Sequence, residues 1–479
     1  MTKVLKLVVA GLFALSLAAC AIDGEDYAAG ATYTENARLL QNSSVCFDTA
    51  SYLLERLEVI LDADGGYHWG IGLHGPVVIA DAITRYAVAN MPDTDGDIFT
   101  RHGDFYVGKL PEDVLIGNTA SYFDGRLWGM VTWGLVEANA DNLDVVLDTM
   151  LHELFHAQQP YIFKGTRALI GINPPHMRVA EVRINVRLEI NALLHALRST
   201  GDERLAAVYD ALSIRAERRR NNDEIAAIYE NSLEILEGTA VYTEAAMGRN
   251  NLGDRIALVE WHMDSSSNFN IVDQSGYFSG ALYSLLLSEF AADWRASLSW
   301  DCDLAELLKA AVGFTEIIPF HEIDLERYDY SRIRLFEEAW AAETERLTEM
   351  AWDALSGPLL LIDAMGEFGQ GRDEDVRLLF LQDLPLGAYD EFDYGQEDIY
   401  PISGERTVFY GDFTYAAEFG ELEVTGGVLM LWRVMWRHGI PAYDIEVDGN
   451  RVIAPSWVLT LNEGFALREV GGGHFAIGR

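Results

Sequence analysis

Cysteine is nearly missing from this chain, with 3 in 479 residues. Such scarcity offers no catalytic thiol, and the spacing of Cys46 and Cys302 excludes a cysteine-based zinc cluster. In an exported protein those two either close one very long disulfide loop or remain as two buried thiols. Proline is also scarce, at 12, and no Pro-rich, Gln-rich or collagen-like segment and no internal repeat is visible. Basic residues are few: 35 Lys and Arg stand against 75 Asp and Glu, a net charge of −40. A nucleic-acid partner needs a basic stripe to release counterions, and the one cluster, Arg218, Arg219 and Arg220, is expected as a solvated helix face, so no nucleic acid is expected. Walker A and GxSxG motifs are absent. What remains is 49% hydrophobic and 11% aromatic, a globular composition. The length suggests roughly two to three domains.

Residues 1–20 read MTKVLKLVVAGLFALSLAAC, two lysines followed by an apolar run from Leu7 to Ala19. That run has the length of a secretory core and is too short to span a bilayer. The ending Leu17-Ala18-Ala19-Cys20 resembles the lipobox of bacterial lipoproteins. The resemblance implies a signal peptide over residues 1–19 and a lipid on Cys20, holding the chain to a membrane in the bacterial cell envelope. Ala21, where an inner-membrane lipoprotein carries Asp, points by the same analogy to the outer membrane. Loss of Lys3 and Lys6 with the leader leaves a chain too acidic to adsorb to anionic headgroups without a covalent lipid. Residues 20–44, small, polar and acidic, are expected to form the lipidated tether.

Helical spacing first covers Thr49 to Leu61. Val77–Val88 and Leu127–Val136 are β-rich, with turn signals between them, and predict a small sheet. Helical spacing then dominates: Asn142–Phe163, Arg178–Ser199, Glu203–Arg220, Asp223–Met247, Gly280–Phe290 and Ile333–Leu355. After Gly357-Pro358 the chain turns to short apolar runs punctuated by glycine, which predicts a separate β domain over residues 357–479. The expected fold is α+β, with a first domain over 45–356 of a small sheet plus an α-rich helical region.

The chemistry is concentrated in Asp144 to Gln159, DVVLDTMLHELFHAQQ, which contains His152-Glu153-Leu154-Phe155-His156, an HExxH pattern. On a helix, residues four apart lie one turn apart on one face, so both imidazoles reach one tetrahedral metal and Glu153 projects beside them as a general base. Val146, Leu147, Met150, Leu151, Leu154 and Phe155 predict a helix buried on more than one side. Buried histidines need partners. A catalytic zinc needs a third protein ligand, and the candidate is Glu237, followed by Gly238, Thr239 and Ala240. Glycine inside a helix costs about 1 kcal/mol relative to alanine, so Gly238 predicts close approach of a second helix. Glu189, Glu234 and Glu244 are rivals for the third position, each otherwise a solvated helix charge.

His152, Glu153, His156 and Glu237 resemble the gluzincin zinc metallopeptidases, in which a glutamate from a later helix joins HExxH. The resemblance implies a zincin-like domain, one Zn²⁺ per chain held by His152, His156 and Glu237, Glu153 as general base, and a peptide or protein substrate. It also implies that Arg126 to Leu135 is the edge strand along which a peptide lies. The gap from His156 to Glu237 is long for that group. The metzincin variant is not expected, because Gln158, Gln159 and Pro160 stand where that variant continues toward its third histidine. The other reading is a non-catalytic envelope binding or scaffold lipoprotein that keeps a metallopeptidase-like fold. Tyr242, Tyr277 and His262 are weaker candidates for oxyanion stabilisation, and His195 is expected to be structural or to support a ligand. Gly70 to Gly75 fits GxGxxG but runs into Pro76 rather than a helix, and Asp93 to Asp97 is expected as a plain turn rather than a calcium loop.

Overall fold

The computed structural model describes residues 45–165, 175–222, 224–265, 271–355, 357–363, 366–369, 377–381, 406–417, 419–432, 437–471 and 474–478. The leader, Cys20 and the tether lie outside the described residues. The protein is α+β and divides into two compact units, through Arg334 and from Leu335 onward. The sequence-based boundary at 356/357 falls instead at the end of a helix, Tyr330–Leu355, whose greater part belongs to the second unit.

The first unit opens with α1 (Phe47–Asp64), whose Ala50, Leu53, Leu54, Leu57 and Leu61 repeat at helical spacing and are buried. Gly65, in the left-handed region at φ 54°, returns its N–H to the carbonyl of Leu61 and ends the helix. A six-stranded mixed sheet follows, built from β1 (Val77–Ala80), β2 (Tyr86–Ala89), β3 (Phe99–His102), β4 (Phe105–Lys109), β5 (Thr119–Phe123) and β6 (Arg126–Thr132) in the order β3-β4-β2-β1-β6-β5. Only β1 and β6 run parallel, with Val77 opposite Gly129 and Ala80 opposite Thr132. Trp128, stacked on Phe123, sits fully buried in the core of this sheet with Val78, Ala89 and Met130.

The implied edge strand is corrected here. β6 is paired on both sides, with β1 and antiparallel with β5, and the edge belongs to β5. The strand also stops at Thr132, whose hydroxyl accepts from Leu135 N and starts α2 (Trp133–Ala138).

Six longer helices carry the rest of the site's frame: α3 (Leu143–Ile162), α4 (Ala180–Arg198), α5 (Gly201–Arg220), α6 (Glu224–Leu233), α7 (Thr239–Gly248) and, after α8 (Leu252–Ser265), α9 (Ile271–Phe290). α10 (Leu304–Val312) and α11 (Tyr330–Leu355) follow. α8 and the first half of α9 escaped the spacing argument because Asn250-Asn251, the serines at 265–267, Gly276 and Gly280 interrupt it. Asp144 lies in the first turn of α3, where the helix dipole favours it, and Val146, Met150, Leu151, Leu154 and Phe155 are buried on more than one side. The sheet approaches α3 at backbone contact. A Cβ on Gly129 of β6 would lie 2.8 Å from the nitrogen of Leu154, so only glycine fits there.

Between α6 and α7 the chain widens into a π-helical segment, Glu234–Gly238. Gly238 serves a close crossing, though with α9 rather than α3: a Cβ there would lie 2.5 Å from the Gly280 Cα and from the Gly276 carbonyl. Beyond the greater part of α11, the described residues of the second unit form an eleven-stranded sheet, β7 (Leu359–Asp363) through β17 (His474–Gly478), antiparallel except where β17 meets β7. Its core includes Leu360, Leu422, Ile440, Val452, Trp457 and Leu459. Among the described residues no helix is long and apolar enough to cross a membrane.

Candidate metal centre

Each of the three converging side chains comes from an element already fixed by packing. His152 and His156 share one face of α3, with ring centroids 4.6 Å apart. Glu237 comes from the π segment, where the widened turn carries it across to α3. Glu237 Oε2 lies 3.3 Å from His152 Nε2 and 3.1 Å from His156 Nε2, and the two Nε2 atoms are 3.0 Å apart. Among the described residues this is the one group of three whose ligand atoms could hold a metal ion.

Outer partners fix which ring atoms face inward. Glu244 on α7, only 1% exposed, takes His152 Nδ1 at 2.5 Å and His262 Nε2 at 2.8 Å. A carboxylate only accepts, so His152 Nδ1 carries a hydrogen, and in the neutral imidazole that a metal requires Nε2 is the bare atom. Gln159, also 1% exposed, accepts His156 Nδ1 on its Oε1 at 2.9 Å, and the same reasoning leaves His156 Nε2 bare. Three acceptor atoms therefore converge with separations of 3.0 to 3.3 Å. A tetrahedral zinc with bonds of 2.0–2.1 Å would set its ligands about 3.3 Å apart, so the donor set fits the ion that the sequence implies.

The electrostatics of the metal-free site follow from the same contacts. Burial works against a charge on His152, but hydrogen bonds to Glu237 and Glu244 outweigh it and hold the imidazole well above its ordinary value. Burial likewise works against the Glu237 carboxylate, and the two histidines overcome it and hold its pKa low. Glu153 is pushed up, first by burial and against the pull of both histidines. Its carboxylate makes no hydrogen bond or ion pair with any described residue, which leaves it open to a proton from outside the chain.

The three rival glutamates are not solvated. Glu189, Glu234 and Glu244 are each 1% exposed. Arg215 on α5 holds Glu234 through both oxygens at 2.7 Å and reaches Glu189 at 2.9 Å, while Ser279 and Tyr283 of α9 complete their bonding. Arg218 is likewise buried, gripping Glu189 and Glu230, and Arg219 bridges Glu230 to Asp303. Of the arginine trio only Arg220 is exposed, so the expected solvated face is instead a buried ionic network. It spans α4, α5, α6 and α9 around the residues that begin the π segment. A water-sized cavity beside it is walled by these already paired charges and offers no reactive group.

The oxyanion candidates separate. Tyr242 points away from the triad, with its hydroxyl on Ser288 and Arg295. His262 is engaged by Glu244. The Tyr277 ring lies parallel to that of His152, with centroids 6.2 Å apart. His195 pairs with Glu203 on the surface, away from the site. Cys46 and Cys302 are both half-buried and form no disulfide with each other, so neither the long loop nor a pair of fully buried thiols is found. Asp93 accepts the backbone N–H groups of Asp97, Ile98 and Phe99, which uses its carboxylate as a turn brace.

Gln159 and Glu244 were not assigned these roles from the sequence. The available signals were a polar residue one turn past His156 on the same helix, and a second carboxylate seven residues, about two turns, past Glu237. No family model, no curated protein and no solved structure matches this chain.

Proposed function

We propose that this protein is a zinc-dependent hydrolase that cleaves peptides. The observation that carries the reading is the convergence of His152 Nε2, His156 Nε2 and Glu237 Oε2, with Glu244 and Gln159 holding hydrogens on the outer ring nitrogens, so that each imidazole, once neutral, presents a bare inner nitrogen. A proton can bridge only one such pair, whereas a divalent cation serves all three. When bound, zinc lowers the pKa of a water ligand toward neutrality and polarises a carbonyl oxygen.

The chain's own residues do the rest. Glu153, which makes no hydrogen bond among the described residues, takes the proton of the attacking water and returns it to the departing amine. β5, which among the described residues pairs only with β6, presents an unpaired backbone edge on the sheet that packs against α3, and an extended peptide could add to it. In this reading the domain is zincin-like and the enzyme is tethered to the bacterial envelope, on the outer membrane, by a lipid on Cys20.

A retired scaffold has no physical need for a buried carboxylate such as Glu153 beside the ligands, which favours the enzyme over the binding-lipoprotein alternative. The test is zinc analysis of the purified chain together with a peptide-library cleavage assay with and without chelator. We expect about one zinc per chain, lost in His152→Ala, and chelator-sensitive cleavage. A chain that holds no zinc, or holds it and cleaves nothing, overturns the proposal.

A further inference from the structure

We propose that Gln159 is the positioning residue that locks the two halves of the metal centre together, setting the ring of His156 with one end of its amide and the turn that presents Glu237 with the other. The inference rests on the zinc-site reading above and goes beyond it to how the distant ligand is held in register.

The argument starts from the π segment. Widening a helix from i+4 to i+5 bonding disturbs the pairing of the carbonyls at the insertion, and a buried unpaired carbonyl is costly. Here the carbonyls of Ile235 and Leu236 both turn to the amide nitrogen of Gln159, at 3.3 and 2.7 Å. Thr239, fully buried, adds its hydroxyl to the Ile235 carbonyl and also receives Gln159 Nε2 at 3.2 Å. Carbonyls cannot donate, so they fix the orientation of the amide: nitrogen faces the π turn and oxygen must face His156.

That orientation decides the histidine. Gln159 Oε1, 2.9 Å from His156 Nδ1, requires the hydrogen there and directs the bare Nε2 at the point shared with His152 and Glu237. One side chain on α3 therefore reads the conformation of a segment about eighty residues later in the chain and sets the ligand nitrogen three residues before itself. Glutamate at this position would keep the acceptor for His156 but lose the donors to the π turn. Leucine would lose both.

The experiment uses the full chain and three readouts: Zn²⁺ affinity by competition with a chromophoric chelator, the visible absorption of the Co²⁺-loaded protein, and the unfolding midpoint of the metal-free protein. For Gln159→Leu we expect affinity to fall roughly 10- to 100-fold. For Gln159→Glu we expect a folded protein whose cobalt spectrum loses intensity toward that of Glu237→Ala, because the Glu237 carboxylate is no longer held beside the two histidine nitrogens. If Gln159→Leu fails to fold, Gln159→Glu alone decides. Variants that match wild type in both affinity and spectrum overturn the positioning role and leave the metal site intact. A wild-type chain that binds neither cobalt nor zinc overturns both, and a variant that loses stability while its cobalt spectrum stays unchanged shows that Gln159 is merely structural.

Discussion

Glu244 Oε1 lies 2.5 Å from Nδ1 of His152, and its other oxygen takes His262, so one buried carboxylate orients the first histidine of the site from behind. Such outer partners commonly contribute 10- to 100-fold in metal affinity. Glu244→Ala is expected to weaken zinc binding by about that factor, with Glu244→Gln in between because its amide oxygen still accepts from Nδ1. Chelator competition measures both, and equal affinities across the series would refute the role.

Glu153→Gln keeps the volume and removes the base. General-base contributions run to about 10²–10⁴, so kcat on a cleaved peptide should fall by that range while zinc content stays near one per chain. Turnover as fast as wild type would remove Glu153 from the mechanism.

Proton competition sets the pH dependence. In the metal-free protein the raised His152 contributes stability that is full below its unfolded value of 6.5 and lost as pH rises through its folded value. The lowered Glu237 contributes stability that is full above its unfolded value of 4.5 and lost as pH falls through its folded value. The metal-free ion pair is therefore complete between those two unfolded values. Zinc must displace the His152 proton, so apparent affinity should weaken as pH falls, and binding near neutral pH should release protons. Calorimetry in buffers of different ionisation enthalpy reads the release, and a buffer-independent heat would contradict it.

Gly129 is where β6 touches the backbone of α3. Gly129→Val must push the helix that carries both histidines, and overpacking of this kind costs about 1–3 kcal/mol. A lowered unfolding midpoint together with weaker zinc binding is the expected pair of results. An unchanged midpoint would mean that the helix yields freely.

Arg215 pairs with Glu234 and Glu189, and all three side chains are buried. Removing one partner of a buried ionic network typically costs about 3–5 kcal/mol, so Arg215→Met should be strongly destabilising in denaturant melts. A double variant that also replaces Glu234 by glutamine should recover part of the loss, and failure to recover any would show that the pair is not coupled.

The parts of this protein that were legible in the sequence are those written at short range. The helix over His152 and His156, its burial on more than one side, the small sheet before it and the strands after Gly357 all follow from periodicities of about 3.6 and 2, which a few residues suffice to display. Gly238 likewise announced a close crossing, because a glycine inside a helix needs a tertiary reason.

Solvation was harder to read. Glu189, Glu234 and Arg218 look like surface charges in a linear chain, and only the packing of α4, α5 and α9 determines that they neutralise one another inside. The edge of the sheet was misplaced for a similar reason: whether β6 or β5 lies outermost depends on where β1 inserts, and strand order leaves no local mark.

The sequence by itself determined the chemistry available, two imidazoles and a carboxylate on one helical turn with few competing thiols or bases. Tertiary structure alone decided which of several later glutamates meets them. The reason is physical: spacing along one helix is fixed by backbone hydrogen bonds, whereas the approach of Glu237 depends on a widened turn, the Gly238 crossing and the amide of Gln159, none of which acts until the distant segments have packed.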